Sequence, residues 1–497
     1  MRTFLVSALL PALFLSAATA HPHGLPQAAQ HEKRQDDASP SSATSGSVPT
    51  GVALGVSLGL DDSSSTVTTS ATSTTSSSDA VTTSYTPVSS LSFASVTAAP
   101  AITASSYTTL TNKISDVLSR SNEIAVHSWE LGTLINTLLE VYNPGLMPFG
   151  WDSGAVNDEE VPWNALEIAR DTISHYDWTG APNATTGQDI SLYLDNSTTP
   201  QSHHSQALIG GDGALGDPVS LVPAVWLLAE YAQKDEVKSK LQLRDADDYA
   251  WAVGNQLDYL FNGPTSSNGT ISQREASFEL WADMGYMVSP SLAYLGLTTN
   301  SSNFLTKSLE QFTLESSALL ETIHGVYLHI LNGDASLWAT GNGWMAYGLM
   351  RDLASVSSAG LDSAVGDYAT NTKNTISGVF QGLFSQLDDD SLIPNYMHQS
   401  NATLAVGDTS GTALTVAAYY RFLKLAPELT NDNLTTLAEQ AFDGVVAKID
   451  DDGWVTHAVD PEGTYGWVVY PDDLTLHSPE AQAFAALMWK ARTDYGQ

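Results

Sequence analysis

The chain has 497 residues and no cysteine. That excludes a disulfide framework and thiolate metal sites. A chain this long buries enough core to need no such staples. Basic residues are scarce: 19 Lys and Arg stand against 55 Asp and Glu, a formal charge of −36. A basic footprint for nucleic acid or a membrane surface is missing, so neither partner is expected. The acidic field repels polyanions, within a screening range of about 8–10 Å in physiological salt. Beyond the N-terminus, no stretch reaches the roughly 18 uninterrupted apolar residues of a membrane span. H-E-x-x-H, the G-x-S-x-G elbow and the Walker loop are also absent.

What is present begins with a secretory signal. Arg2 supplies a positive charge, Phe4 to Leu15 an apolar segment, and Ala18-Thr19-Ala20 a small-residue cleavage site. Residues 1–20 therefore read as a signal peptide, and the protein as secreted, extracellular or cell-wall associated. Lys33-Arg34 reads equally as a processing site or as an ordinary charged pair. Residues 21–106 are rich in Ser and Thr, with "SSSTVTTSATSTTSSSDAVTTS" at their centre. Such a segment cannot bury enough apolar surface to offset its chain entropy, and is expected to be a disordered, O-glycosylated stalk. Asn-x-Ser/Thr sequons at Asn183, Asn196, Asn268, Asn300, Asn401 and Asn433 are candidate N-glycan sites on surface loops.

Residues 107–497 read as one helical domain. Amphipathic segments start near Ser128, Asp217, Leu280, Gly341, Ser410 and Ser478, each pair separated by a second helical segment such as "ADDYAWAVGNQLDYLF". This self-similarity predicts a helical hairpin repeated six times, closing into an (α/α)6 toroid. The inner helices, rich in Ala, Gly, Leu and Trp, have the composition of helices buried on nearly all sides. A monomer is expected. The long first interval contains His203-His204, which lack a third ligand at a suitable spacing and read as solvated loop histidines.

"LWATGNGWMAYGL" contains Gly341-x-Gly343-x-x-Ala346, a form of the dinucleotide-binding fingerprint. No strand is predicted before it and no βαβ alternation surrounds it, so a cofactor loop is excluded. The glycines are expected instead to turn the backbone tightly at the rim of the toroid. Two carboxylates stand at inner-helix starts. Asp217, just before Pro218, reads as a helix cap or as a site acid. Asp283, between Trp281 and Tyr286, sits in an aromatic setting that favours the raised pKa of a general acid; the alternative is an exposed first-turn acid.

"LWADMGYMVSPSLAYLG" resembles the W-x-D-x-x-Y/F-M-x-x-P-x-L-A-x-x-G signature of unsaturated rhamnogalacturonyl hydrolases, glycoside hydrolase family 105. The related family 88 unsaturated glucuronyl hydrolases share the six-hairpin fold. The resemblance continues at "GVYLH", "TGNGW", "DTSGTA" and "SPEAQAF", in the family's order. It implies hydrolysis of a Δ4,5-unsaturated uronic acid from the non-reducing end of pectin-derived oligosaccharides, without a cofactor. It implies Asp283 as acid/base and Asp217 as its partner. His329, Trp344, Tyr286, Trp281, Thr340 and Asn342 are the implied substrate contacts.

Two positions depart from the family pattern. Thr340 stands where an arginine is usual, and Phe278 where a histidine is usual. An arginine fork suits a carboxylate, and Thr340 lacks one. Arg274 could swing in as a replacement, although a surface role is its simpler reading. Two other readings stay open: an (α/α)6 exo-glycosidase on a neutral terminal sugar, or a non-catalytic wall-associated carbohydrate-binding protein. His329 also reads as a buried histidine bonded to backbone, and Trp338 and Trp344 as core.

Overall fold

The computed structural model describes residues 91–96, 104–181, 205–211, 213–463 and 466–496. The signal segment, Lys33-Arg34, His203-His204, Asn183 and Asn196 lie outside them. Twelve helices alternate along the chain, outer then inner, in six successive pairs. They are α1 (Ser105–Ile124) and α2 (Ser128–Tyr142), α3 (Trp163–Thr172) and α4 (Val222–Tyr231), and α5 (Ala246–Phe261) and α6 (Ser289–Thr298). Then come α7 (Ser302–Leu319) and α8 (Ala339–Ser358), α9 (Asp362–Phe384) and α10 (Thr409–Leu425), and α11 (Asp432–Val446) and α12 (Pro479–Tyr495).

The inner helices α2, α4, α6, α8, α10 and α12 pack in that order, and α12 closes the ring on α2. This is the (α/α)6 toroid that the hairpin repeat predicts. Inner helices face neighbours on every side, so α8 is buried without interruption from Ala339 to Val356 and α10 from Thr409 to Leu423.

The glycines of "GNGWMAYG" differ from expectation. Gly341 and Gly343 lie inside α8, and neither has a positive φ. They do not turn the chain at the rim; they let helices approach. A Cβ on Gly343 would stand 3.1 Å from Leu414 Cβ of α10, and one on Gly348 would stand 1.8 Å from the carbonyl oxygen of Gly285. The small-residue pattern is a packing device of the inner ring.

The stalk expectation also shifts at its end. Phe93 is buried, Tyr142 Oη donates to the carbonyl oxygen of Ala94 at 2.7 Å, and Asn164 Nδ2 donates to that of Ser92 at 2.9 Å. Residues 91–96 thus lie on the domain, because Phe93 is an aromatic anchor in an otherwise Ser/Thr-rich run. Four sequons, Asn268, Asn300, Asn401 and Asn433, are exposed, with Asn433 on α11 rather than a loop.

Short ladders tie the loops at the N-terminal ends of the inner helices. They are β1 (Leu280–Trp281), β2 (Leu320–Glu321), β3 (Val326–Tyr327), β4 (Ile330–Leu331), β5 (Leu337–Trp338) and β6 (Tyr396–Met397). β1 pairs antiparallel with β4, β2 with β3, and β5 with β6. Deeper in the ring, Glu140 of α2 bonds Arg351 Nε at 2.8 Å and Tyr347 Oη at 2.5 Å, and Arg421 lies 3.6 Å away. A buried acid this well bonded offsets part of the desolvation cost of two guanidiniums.

Candidate active site

The β1–β4 ladder builds the centre of the site. Trp281 pairs with Ile330, and Ala282 N–H donates to the His329 carbonyl at 2.9 Å. The next residue, Asp283, stands at the N-cap position of the short helix leading into α6, without a side-chain capping bond. Its side chain therefore meets that of His329, with Asp283 Oδ2 and His329 Nε2 4.0 Å apart. Both atoms are buried and neither has a hydrogen-bond partner. Burial pushes the Asp283 carboxyl above the usual carboxylate range, opposed in part by the field of Arg274.

Asp283 opens onto a cavity of about 230 Å³. Trp129, Trp281, Trp338, Trp344 and Trp467 line it, with Asp217, Gln273, Arg274, Glu462 and Glu480. Asp217 starts the 3-10 turn that runs into α4, and its Oδ1 accepts from Gln273 Nε2 at 2.7 Å. The Arg274 guanidinium lies 4.8 Å from the centre of the Trp281 ring. The arginine expected on the surface thus shares the cavity with both aspartates. Its position follows from the pairing of Ala214 with Arg274, a contact between segments distant in sequence.

Of the residues implied by the resemblance, Asp283, Asp217, Trp281 and Trp344 line this cavity and His329 backs it. Three others do not line it. Tyr286 is 1% exposed and packs behind Trp344, with ring centres 4.4 Å apart and Arg351 over its other side. Thr340 Oγ1 donates to Asp408 Oδ2 at 3.0 Å, inside the seam between α8 and α10. Asn342 accepts from the Tyr327 N–H at 2.7 Å and donates to the carbonyls of Tyr327 and Trp338. It fastens β3 to the start of α8. In each case the helix rotation turns the side chain into the ring and away from the cavity.

Other residues are brought in from distant segments. Trp467 stands beside His329 and Trp338, with ring centres 4.7 and 5.0 Å away. Asn395 joins two of these walls, accepting from Trp338 Nε1 at 2.9 Å and donating to the Trp467 carbonyl at 2.7 Å. Glu480, the second residue of α12, accepts from Trp129 Nε1 at 2.7 Å and from Ser478 Oγ at 2.8 Å. Burial raises its pKa, and that of its neighbour Glu130 rises for the same reason and through their mutual repulsion. "SPEAQAF" carried the only local signal for Glu480; Trp467 and Asn395 had none.

Residues 238–471 match the family model described as Glycosyl Hydrolase Family 88. The chain is a glycoside hydrolase, and the matched part of it resembles family 88. A solved structure described as a possible family 105 member from Salmonella enterica serovar Paratyphi A is similar at 14% identity. The match has a TM-score of 0.53 and covers 78% of this chain and 93% of that one. A glycosyl hydrolase family 88 protein from Bacteroides vulgatus is similar at 17% identity and TM-score 0.51, covering 78% and 99%. A polysaccharide lyase is also similar, at 17% identity and TM-score 0.52, covering 79% and 98%. At these identities the likeness is one of fold. No curated protein sequence matches the chain. For a glycoside hydrolase, a cavity walled by tryptophans and holding paired aspartates suits a sugar ring and acid–base chemistry.

Proposed function

We propose that this glycoside hydrolase removes a Δ4,5-unsaturated uronic acid from the non-reducing end of oligosaccharides, with pectin fragments as the substrate class. The observation that carries this reading is Arg274 in the same cavity as the half-buried Asp283. Arginine supplies the planar fork a uronate carboxylate needs, from a different segment than the position now occupied by Thr340. The raised proton affinity of Asp283 supports its role as acid.

In the proposed reaction the Asp283 O–H bond breaks as a C4–H bond forms on the enol ether. Water adds to the cationic C5 and returns its proton to the Asp283 carboxylate. The hemiketal at C5 opens to a ketone, and the hemiacetal exposed at C1 releases the remaining sugar. Asp217, held by Gln273, orients the water or a ring hydroxyl. Trp344 and Trp281 pack on the ring. Secretion is part of the same proposal, resting on the N-terminal signal pattern.

Incubation with lyase-generated unsaturated disaccharides, followed by loss of enol-ether ultraviolet absorbance, tests it. Wild type removes the absorbance, and Asp283→Asn reduces kcat by about 10³-fold, within the range for a lost general acid. Absence of turnover by wild type, alongside cleavage of a saturated neutral glycoside, would transfer the site to a neutral terminal sugar.

A further inference from the structure

The chain between His329 and Ser336 folds back under the His329 side chain. His329 N–H donates to the Ser336 carbonyl and Ile330 N–H to that of Asp334, with Asn332 in the left-handed region at φ 61°. This turn sets Asp334 Oδ2 3.0 Å from His329 Nδ1. The same carboxylate accepts from Tyr396 Oη at 2.9 Å and from the Ser336 N–H at 3.2 Å. Tyr396 arrives through the β5–β6 ladder, where it pairs with Trp338. Trp281, Trp338 and Trp467 surround the imidazole and fix its plane. On the far side of the ring, Nε2 faces the unpartnered Asp283 Oδ2.

We propose that Asp334 is a positioning residue that holds His329 with its proton on Nδ1 and its Nε2 lone pair towards Asp283, so that Asp283 retains its proton for the substrate. The catalytic part rests on the uronide reading, while the tautomer does not. An imidazole with Nε2–H would donate to Asp283 Oδ2, stabilise the carboxylate and empty the acid. A lone pair at Nε2 shares a hydrogen only with the protonated Asp283, and a small side-chain rotation closes the 4.0 Å gap. The hydrogen bonds from His329, Ser336 and Tyr396 hold the Asp334 carboxyl well below the usual range, so it stays an acceptor. The titratable and charged groups around the imidazole are Asp283 and Asp334, with Tyr396 behind Asp334 and Arg274 across the cavity.

The test combines nitrogen-15 histidine labelling of the full chain with kinetics. The His329 signal is assigned by its loss in His329→Asn. In wild type near neutral pH it carries its proton on Nδ1. Asp334→Ala shifts it towards Nε2–H, reduces kcat about 100-fold with KM within about threefold, and moves the alkaline limb of the pH–rate profile to lower pH. Tyr396→Phe moves both readouts in the same direction by less, and serves if Asp334→Ala does not fold. An Nε2–H tautomer in wild type overturns the proposal. So does an unmoved limb in Asp334→Ala. If wild type fails to turn over the disaccharide, the uronide reading falls while the labelled ring still decides the tautomer.

Discussion

In the proposed function, Arg274 is the residue that distinguishes a uronate site from a neutral-sugar site. Its charge lies in the cavity beside Trp281, where a substrate carboxylate would receive a charge-assisted hydrogen bond. Such a bond contributes about 2 kcal/mol, roughly 30-fold in kcat/KM. Arg274→Met is therefore expected to lower kcat/KM on the unsaturated disaccharide by about that factor, mostly through KM. The same disaccharide with its carboxyl reduced to an alcohol should be affected by less than about threefold; paired kinetics on the two substrates check this. The residue scale is also where sequence reading was least complete. Asp283 was legible because Trp281, its aromatic neighbour in sequence, lines the same cavity. Arg274 was not, because an arginine seven residues before a tryptophan carries no sign of which wall it faces.

At the scale of elements, the inner helices were legible from composition and spacing, and their rotation was not. Thr340 and Asn342 sit beside site residues in sequence, yet α8 turns both into its packing seams. Asn342 satisfies the Tyr327 N–H and carbonyl, which the β2–β3 ladder leaves unpaired. Replacing it with alanine strands two buried backbone groups, at about 1–3 kcal/mol each. Asn342→Ala is thus expected to lose about 2–6 kcal/mol in urea unfolding. KM in the folded variant should stay within about twofold, which separates a structural clasp from a substrate contact.

The molecule as a whole stores protonated acids. Glu315 on α7 is fully buried with neither carboxyl oxygen bonded, and burial lifts its pKa well above the ordinary 4.5. Asp352 on α8 is pushed up to about 8 by burial. Both hold a proton in the folded chain that the unfolded chain releases near the ordinary carboxylate values. Their contribution is fully present below the unfolded values and is lost as pH rises towards the folded ones. The melting temperature is expected to fall between about pH 5 and pH 8. Glu315→Gln should flatten that fall, gaining more at about pH 8 than at about pH 5; thermal unfolding of both proteins across that window checks it. An equal gain at both ends would mean that Glu315 is ionised in the folded chain.

Periodicity and composition alone determined the six-hairpin toroid, because hydrophobic spacing dictates which helix faces are buried and small residues dictate which helices lie innermost. The residues beside it in sequence singled out Asp283 as a candidate. Tertiary structure decided the rest. It set which side of α8 meets the cavity, brought Arg274 to Asp283 and placed Asp334 under His329. Those relations depend on strand register and helix rotation, which packing between distant segments fixes.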